Sequence, residues 1–325
     1  MTFPMKALTA LALALLAARP LPAAAGPRQV DERVTTASGV RVRAEPSSSG
    51  AEVGKLKLGT VVVVVDESPA RETVAGVSAP WLRIAPADGL EGWIFGGFAM
   101  PFPAAQREPI LRRLAADRLK LPEPSFNDMA DLAAFAARVG PGMSPAGAAE
   151  LELARLKALA RAAAAIPFDK GAEEPFASWL KAQGESVVYS EPAGQWFVNS
   201  DLYWQAARRY ATVPAGETLA WEGAQAPIPG ECEGYLPCHV YMMRVSMAQY
   251  LGLYPNGPHA AEALGAIREL VDEALAPESP YRIEDQDHAE LRKELDAIRV
   301  AVSRVSGPKA AALLKAVDTL SKTYR

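Results

Sequence analysis

Histidine and cysteine are scarce in this chain of 325 residues, with three of the first and two of the second. That scarcity confines any metal centre or thiol chemistry to His239, His259, His288, Cys232 and Cys238. No catalytic cluster stands out around them. No segment reaches the ~20 consecutive apolar residues that a membrane-spanning helix needs, so no span is expected. A basic excess is missing as well. The net charge is −4 and the pI near 5.6, whereas nucleic-acid binders carry a basic face, so no nucleic-acid partner is expected. Half of the residues are hydrophobic, which is ample for a buried core. The 27 Pro and 24 Gly break elements often without making the chain low-complexity.

What is present begins with an export pattern. Lys6 precedes an apolar run from Ala7 to Ala18, and Ala23-Ala24-Ala25 supplies small residues at a cleavage position. This predicts a secretory signal peptide over residues 1–25, interrupted near its end by Arg19 and Pro20, with a mature start near Gly26. No Cys follows the small residues, so a lipid anchor is not expected. The protein is therefore expected to be exported, to the periplasm or outside the cell. The ~300 mature residues suggest two folded units.

From Val34 to Met100, Val, Gly and Trp recur at strand-like spacing. Val40 and Val42 alternate with Arg41 and Arg43, the period-2 pattern of a half-buried strand. Ala44 to Gly50 is dense in turn formers. Val53 and Leu56 mark a second strand, and Val61 to Val65, five stiff β-branched residues, predict a buried third. Trp81 to Ile84, a turn at Asp88-Gly89, and Gly92 to Phe95 read as a closing hairpin. About five short strands are enough to curl into a small barrel.

Four segments in order, Val42-Arg43-Ala44-Glu45-Pro46-Ser47, Gly54 to Gly59, Trp81-Leu82-Arg83-Ile84 and Gly92-Trp93-Ile94, resemble the bacterial SH3-like domain. The resemblance covers residues 30–100, about a fifth of the chain. The departure is an insertion, Asp66 to Pro80, longer than the usual connection. Members of that family commonly bind peptide or glycan parts of the bacterial cell wall and are often appended to wall enzymes. The resemblance thus implies an address in the cell envelope and a cell-wall or envelope-protein partner. The acidic pI disfavours acidic wall polymers as purely electrostatic partners. Candidate binding residues are Glu45, Trp81, Trp93 and Phe95, where the Glu45-Pro46 loop, the insertion and the Trp-bearing hairpin converge. Trp93, inside an alternating strand, is expected to pack inward. Trp81, which opens its strand, is the better contact.

Beyond the Pro101-Phe102-Pro103 linker the period becomes helical. The stripes Ile110/Leu111/Leu114/Ala115, Met129/Leu132/Ala136/Val139 and Leu153/Leu156/Ala160/Ala163 predict a helical bundle over residues 104–182. Ser125 with Asp128 and Ser144 with Pro145 are the start signals of the second and third helices. Residues 183–325 read as a hairpin, Val187 to Val198 around Glu-Pro-Ala-Gly, followed by helical hairpins. Its Tyr189, Trp196 and Phe197 are expected to cap the core. Gln249 to Leu264 resembles the helix-turn-helix of tetratricopeptide repeats, with a fainter echo at Arg209 to Pro214. The two lie 44 residues apart, against the ~34 of that repeat. Leu291, Leu295, Ile298, Val302 and Val305, then Leu313, Val317, Leu320 and Tyr324, line two last helices. The expected class is multidomain α+β: a small SH3-like β-barrel, then an all-α helical-hairpin domain with one β-hairpin.

Cys232 and Cys238 enclose a turn-rich loop, and two Cys in an exported protein most simply pair. Closing that loop stabilises by roughly 2–3 kcal/mol in the chain-entropy model. Rival uses of the same residues are Cys238-His239 as the end of a haem-attachment motif, whose Cys spacing does not match, and Cys as the nucleophile of a wall endopeptidase. His259 and Glu262 share a helix face, with His288 a conceivable third zinc ligand. The expectation is a non-catalytic binding protein without cofactor. The alternatives are a cysteine or zinc wall hydrolase and a purely structural assembly protein.

Overall fold

The structure, a computed structural model, describes Met1 and residues 31–324. The export signal expected at residues 1–25 falls outside the described residues. The fold is multidomain α+β, an SH3-like β module followed by helices with one small hairpin. Seven strands build the module: β1 (Asp31–Thr35), β2 (Val40–Arg43), β3 (Glu52–Leu56), β4 (Val61–Val74), β5 (Val77–Ala87), β6 (Leu90–Phe95) and β7 (Ala99–Pro101). They pair antiparallel in the order β3-β2-β6-β5-β4-β1-β7.

The five expected strands are all there, and β1 and β7 extend the sheet beyond β4. Val40, Val42, Leu56, Val62, Leu82, Ile84 and Ile94 fill the core between them. The valine run does not bury as a block. Val62 is buried, but Val61 and Val65 are exposed, because successive side chains of a strand point to opposite faces and one face here is wet.

The insertion 66–80 is not a loose connection, since it lengthens β4 and β5 into a ribbon. Ala75 and Gly76, both at positive φ (50° and 79°), make the two-residue turn whose twist matches the strands it joins. The ladder shifts register between Glu67 and Arg71, where Pro69 has no N–H to give. Ser68 repairs the gap: its hydroxyl accepts from the Trp81 amide (2.9 Å) and donates to the Ala70 carbonyl (2.7 Å).

The helical part contains α1 (Arg107–Leu119), α2 (Phe126–Val139), α3 (Pro145–Ala164), α4 (Phe176–Gln183), the hairpin β8 (Val187–Ser190) and β9 (Gln195–Val198), α5 (Asp201–Arg209), α6 (Pro214–Gln225), α7 (Leu236–Met243), α8 (Gln249–Leu253), α9 (Ala260–Leu275), α10 (His288–Val302) and α11 (Pro308–Thr323). A π-helical turn, Arg244–Ala248, joins α7 to α8. Ser125 caps α2 in a capping box with Asp128, and Ser144 caps α3 ahead of Pro145. Helix α3 packs against α1, α2, α5, α6 and β9. It is therefore buried on more than the one predicted stripe, and Ala149, Ala158 and Ala162 at 0 % exposure are what allow its neighbours so close.

One hydrophobic core runs from the β module into the helices, with Val34, Leu58 and Phe102 joining Leu111, Leu132 and Phe135. The joint is tight at Gly59. Its φ is +72°, and a Cβ there would lie 2.2 Å from the Phe135 ring, so only glycine fits. Arg138 of α2 donates to the Leu58 carbonyl at 2.7 Å.

In the hairpin, Val187 and Val198 pair at the base and are buried. Tyr189 and Trp196, one pleat nearer the tip on the same face, pair with ring centroids 5.0 Å apart. Tyr189 is exposed. The aromatic cap expected there is thus only partial. Helix α9 starts at Ala260 with His259 as its N-cap.

Candidate functional site

Trp81 is positioned from three directions. Its backbone N–H is held by Ser68, its ring meets Phe95 edge-on at 5.7 Å, and its indole Nε1 donates to Glu72 at 2.8 Å. Glu72 comes from the ribbon and also accepts from the Ser48 amide at 3.0 Å. The turn after β2, the insertion and the Trp-bearing hairpin therefore do converge. Hydrogen bonding from Ser48, then from Trp81, holds the Glu72 carboxyl below the usual carboxylate range.

Trp81 and Phe95 face each other across β5 and β6 on the side of the sheet opposite Ile94. They are nevertheless only 4 % and 3 % exposed, because the ribbon, Ala79 and Phe98 pack around them as a second small core. Trp81, expected to be the better contact of the two tryptophans, is buried and clamped at both its amide and its indole. Trp93, expected to point inward, instead alternates with the core residue Ile94, lies on the same outer side as Phe95 and is half-buried against this cluster.

Above the cluster opens a groove of about 660 Å³ between the β module and the start of α2. Trp81, Phe95 and Phe98 contribute its aromatic surface, Arg41, Arg43 and Lys55 its basic side, and Asn127, Asp128 and Asp131 of α2 its acidic side. Of the four residues named from sequence, Trp81 and Phe95 line this groove, while Glu45 and Trp93 do not. Ser48, from the Glu45 loop, lines it in Glu45's place. Burial pushes the Asp128 carboxyl up, but hydrogen bonds from Ser125 and the Arg118 guanidinium outweigh it, so Asp128 ends below its usual range. Arg43 donates from Nη1 to the Gly50 carbonyl at 2.7 Å.

The sequence missed Arg43, Phe98 and the α2 residues. Phe98 sits in a short 3-10 turn, Gly96–Phe98, and two glycines preceding an aromatic were the signal available. Nothing in the sequence pairs Asp131 with a groove whose other side lies more than thirty positions away.

The other candidate chemistry is dispersed. Cys232 and Cys238 form a disulfide with Cα atoms 5.4 Å apart. The His259 ring stacks on Trp221, and Nδ1 lies 3.4 Å from Glu262. His288 packs on Tyr324 instead. Among the described residues no group of three or more His, Cys, Asp or Glu is placed to hold a metal ion, and no helix is long and apolar enough to cross a membrane.

No curated protein and no solved structure matches the chain. The tetratricopeptide likeness of the helical part has no family match behind it. Residues 38–99, which carry the aromatic and basic sides of the groove, match the family described as the bacterial SH3 domain.

Proposed function

We propose that this is an exported, non-catalytic envelope protein that holds a cell-wall fragment or an envelope-protein partner at its SH3-like module, with the helical part as an interaction surface. The observation that carries it is the aromatic-sided groove of about 660 Å³, within the ~300–1,000 Å³ range of small-ligand sites. It opens on residues matching a family whose members commonly bind wall components. A signal-like N-terminus and a disulfide fit an oxidising, extracytoplasmic setting. A hydrolase has less support. Cys232 and Cys238 are bonded to each other, so neither offers the thiolate a cysteine nucleophile needs. His259 and His288 are engaged by separate aromatic neighbours.

The test is co-sedimentation of the mature full chain with purified peptidoglycan, beside capture from envelope extract, for wild type and Asn127→Trp. Asn127 is exposed, lies in the first turn of α2 and lines the groove, so the larger side chain plugs the groove without entering the core. Retention on the wall or on the envelope partner should fall tenfold or more. Unchanged retention would move binding out of the groove and leave the β module as a structural cap.

A further inference from the structure

The two sides of the groove carry opposite charge, and each has groups without a partner inside the chain. On the β-module side, Arg41 and Lys55 share one carboxylate, Glu52, at 3.1 and 3.8 Å. The Arg43 Nε is buried and unpartnered, and so is the Ser38 Oγ on the same side. Among the described residues four buried side-chain polar atoms lack a partner, and these are two of them. A buried donor left unpaired is costly, and a small rotation of the Arg43 side chain toward an acceptor in the groove offsets that cost. On the α2 side, Asp128 is engaged by Ser125 and Arg118. Asp131 also lines the groove, and it forms no ion pair among the described residues.

Resting on the proposal that the groove is the binding site, we infer that its occupant is a zwitterionic peptide, with a carboxylate set against Arg43 and Ser38 and an ammonium against Asp131. Its apolar part lies on Phe98 and Val74, with the buried Trp81 and Phe95 rings behind them. An uncharged glycan would leave both charged sides unmatched. The site is composite, because its ammonium side belongs to α2, outside the residues that match the SH3 family. The β module therefore holds half of the recognition.

The test uses the mature full chain and calorimetry with four probes: acetyl-Ala-Lys-Ala with a free carboxylate, its C-terminal amide, its Nε-acetyl form, and a neutral N-acetylglucosamine trimer. The first should bind at least tenfold more tightly than either blocked peptide or the trimer. Asp131→Asn, nearly isosteric and on the helix surface, should abolish the preference for the free ammonium and keep the preference for the free carboxylate. Equal affinity for all three peptides, an ammonium preference that survives Asp131→Asn, binding of the trimer alone, or binding of no probe would each overturn the inference. If peptidoglycan retention stays sensitive to Asn127→Trp in those cases, the groove remains the wall site and only its ligand chemistry is wrong.

Discussion

The β module and the helical region each build a tryptophan into an aromatic cluster held by a glutamate. In the module, Trp81 meets Phe95 edge-on and donates to Glu72. In the helices, Trp221 of α6 meets Tyr250 edge-on at 5.2 Å, and the Tyr250 hydroxyl donates to Glu217 at 2.5 Å. Both indoles are below a tenth exposed. They differ in what covers them. The His259 ring lies flat on Trp221, centroids 4.2 Å apart and planes within 1°, and the His259 amide donates to the Tyr250 hydroxyl. That cluster is closed by its own chain. The Trp81 cluster instead borders the groove. Similar aromatic and carboxylate chemistry thus closes a cluster within the helices and backs a groove in the module, with both indoles covered by their own chain.

The largest effect that could break this parallel is on stability. Trp81→Ala and Trp221→Ala should each cost about 3–5 kcal/mol, the range for truncating a buried aromatic, in urea unfolding of the whole chain. A cost below about 1 kcal/mol for Trp81→Ala, with the full cost for Trp221→Ala, would make Trp81 a surface contact after all. A smaller effect separates the two glutamates. Tyr250→Phe removes one hydroxyl that serves both Glu217 and the His259 amide, and should cost about 1–2 kcal/mol in the same assay. No measurable cost would mean that water replaces the hydroxyl and the helical cluster is more open than its geometry implies.

The smallest effect is a pH dependence in the module. The Glu72 carboxyl lies below its ordinary value of 4.5 in the folded chain. A group depressed in this way contributes stability above its unfolded pKa and loses that contribution as pH falls through the folded one. The melting-temperature gap between wild type and Glu72→Gln should therefore be present at about pH 7 and shrink as pH falls below 4.5. A gap constant over that range would show that Glu72 acts through shape and not through its charge.

Much of the fold was legible because it rests on local periodicity. Val40/Val42, Leu291/Leu295/Ile298/Val302 and the caps at Ser125 and Ser144 announce themselves within a turn or a pleat, and the structure has them as expected. The ribbon over residues 66–80 was not legible. Pro69, Pro80 and a string of charges hide a turn at Ala75-Gly76 that depends on positive φ at both residues, one of them a non-glycine. The site was half legible for a related reason. Trp81 and Phe95 stood out by residue type, but their burial comes from a ribbon folded back over the outer face of the sheet.

By itself, the sequence determined the class of each segment, the order of strands then helices, the likeness of residues 30–100 to a bacterial SH3-like domain and the simplest pairing of two close cysteines. Hydrophobic period, turn residues and short-range spacing are local and need no knowledge of distant neighbours. Only the tertiary structure decided that Trp81 is clamped by Glu72, that Gly59 lets Phe135 seat the module on α2, and that Arg43 and Asp131 face one groove. Those depend on which surfaces meet after the chain closes on itself, and contacts between residues far apart in sequence leave no periodic trace in it.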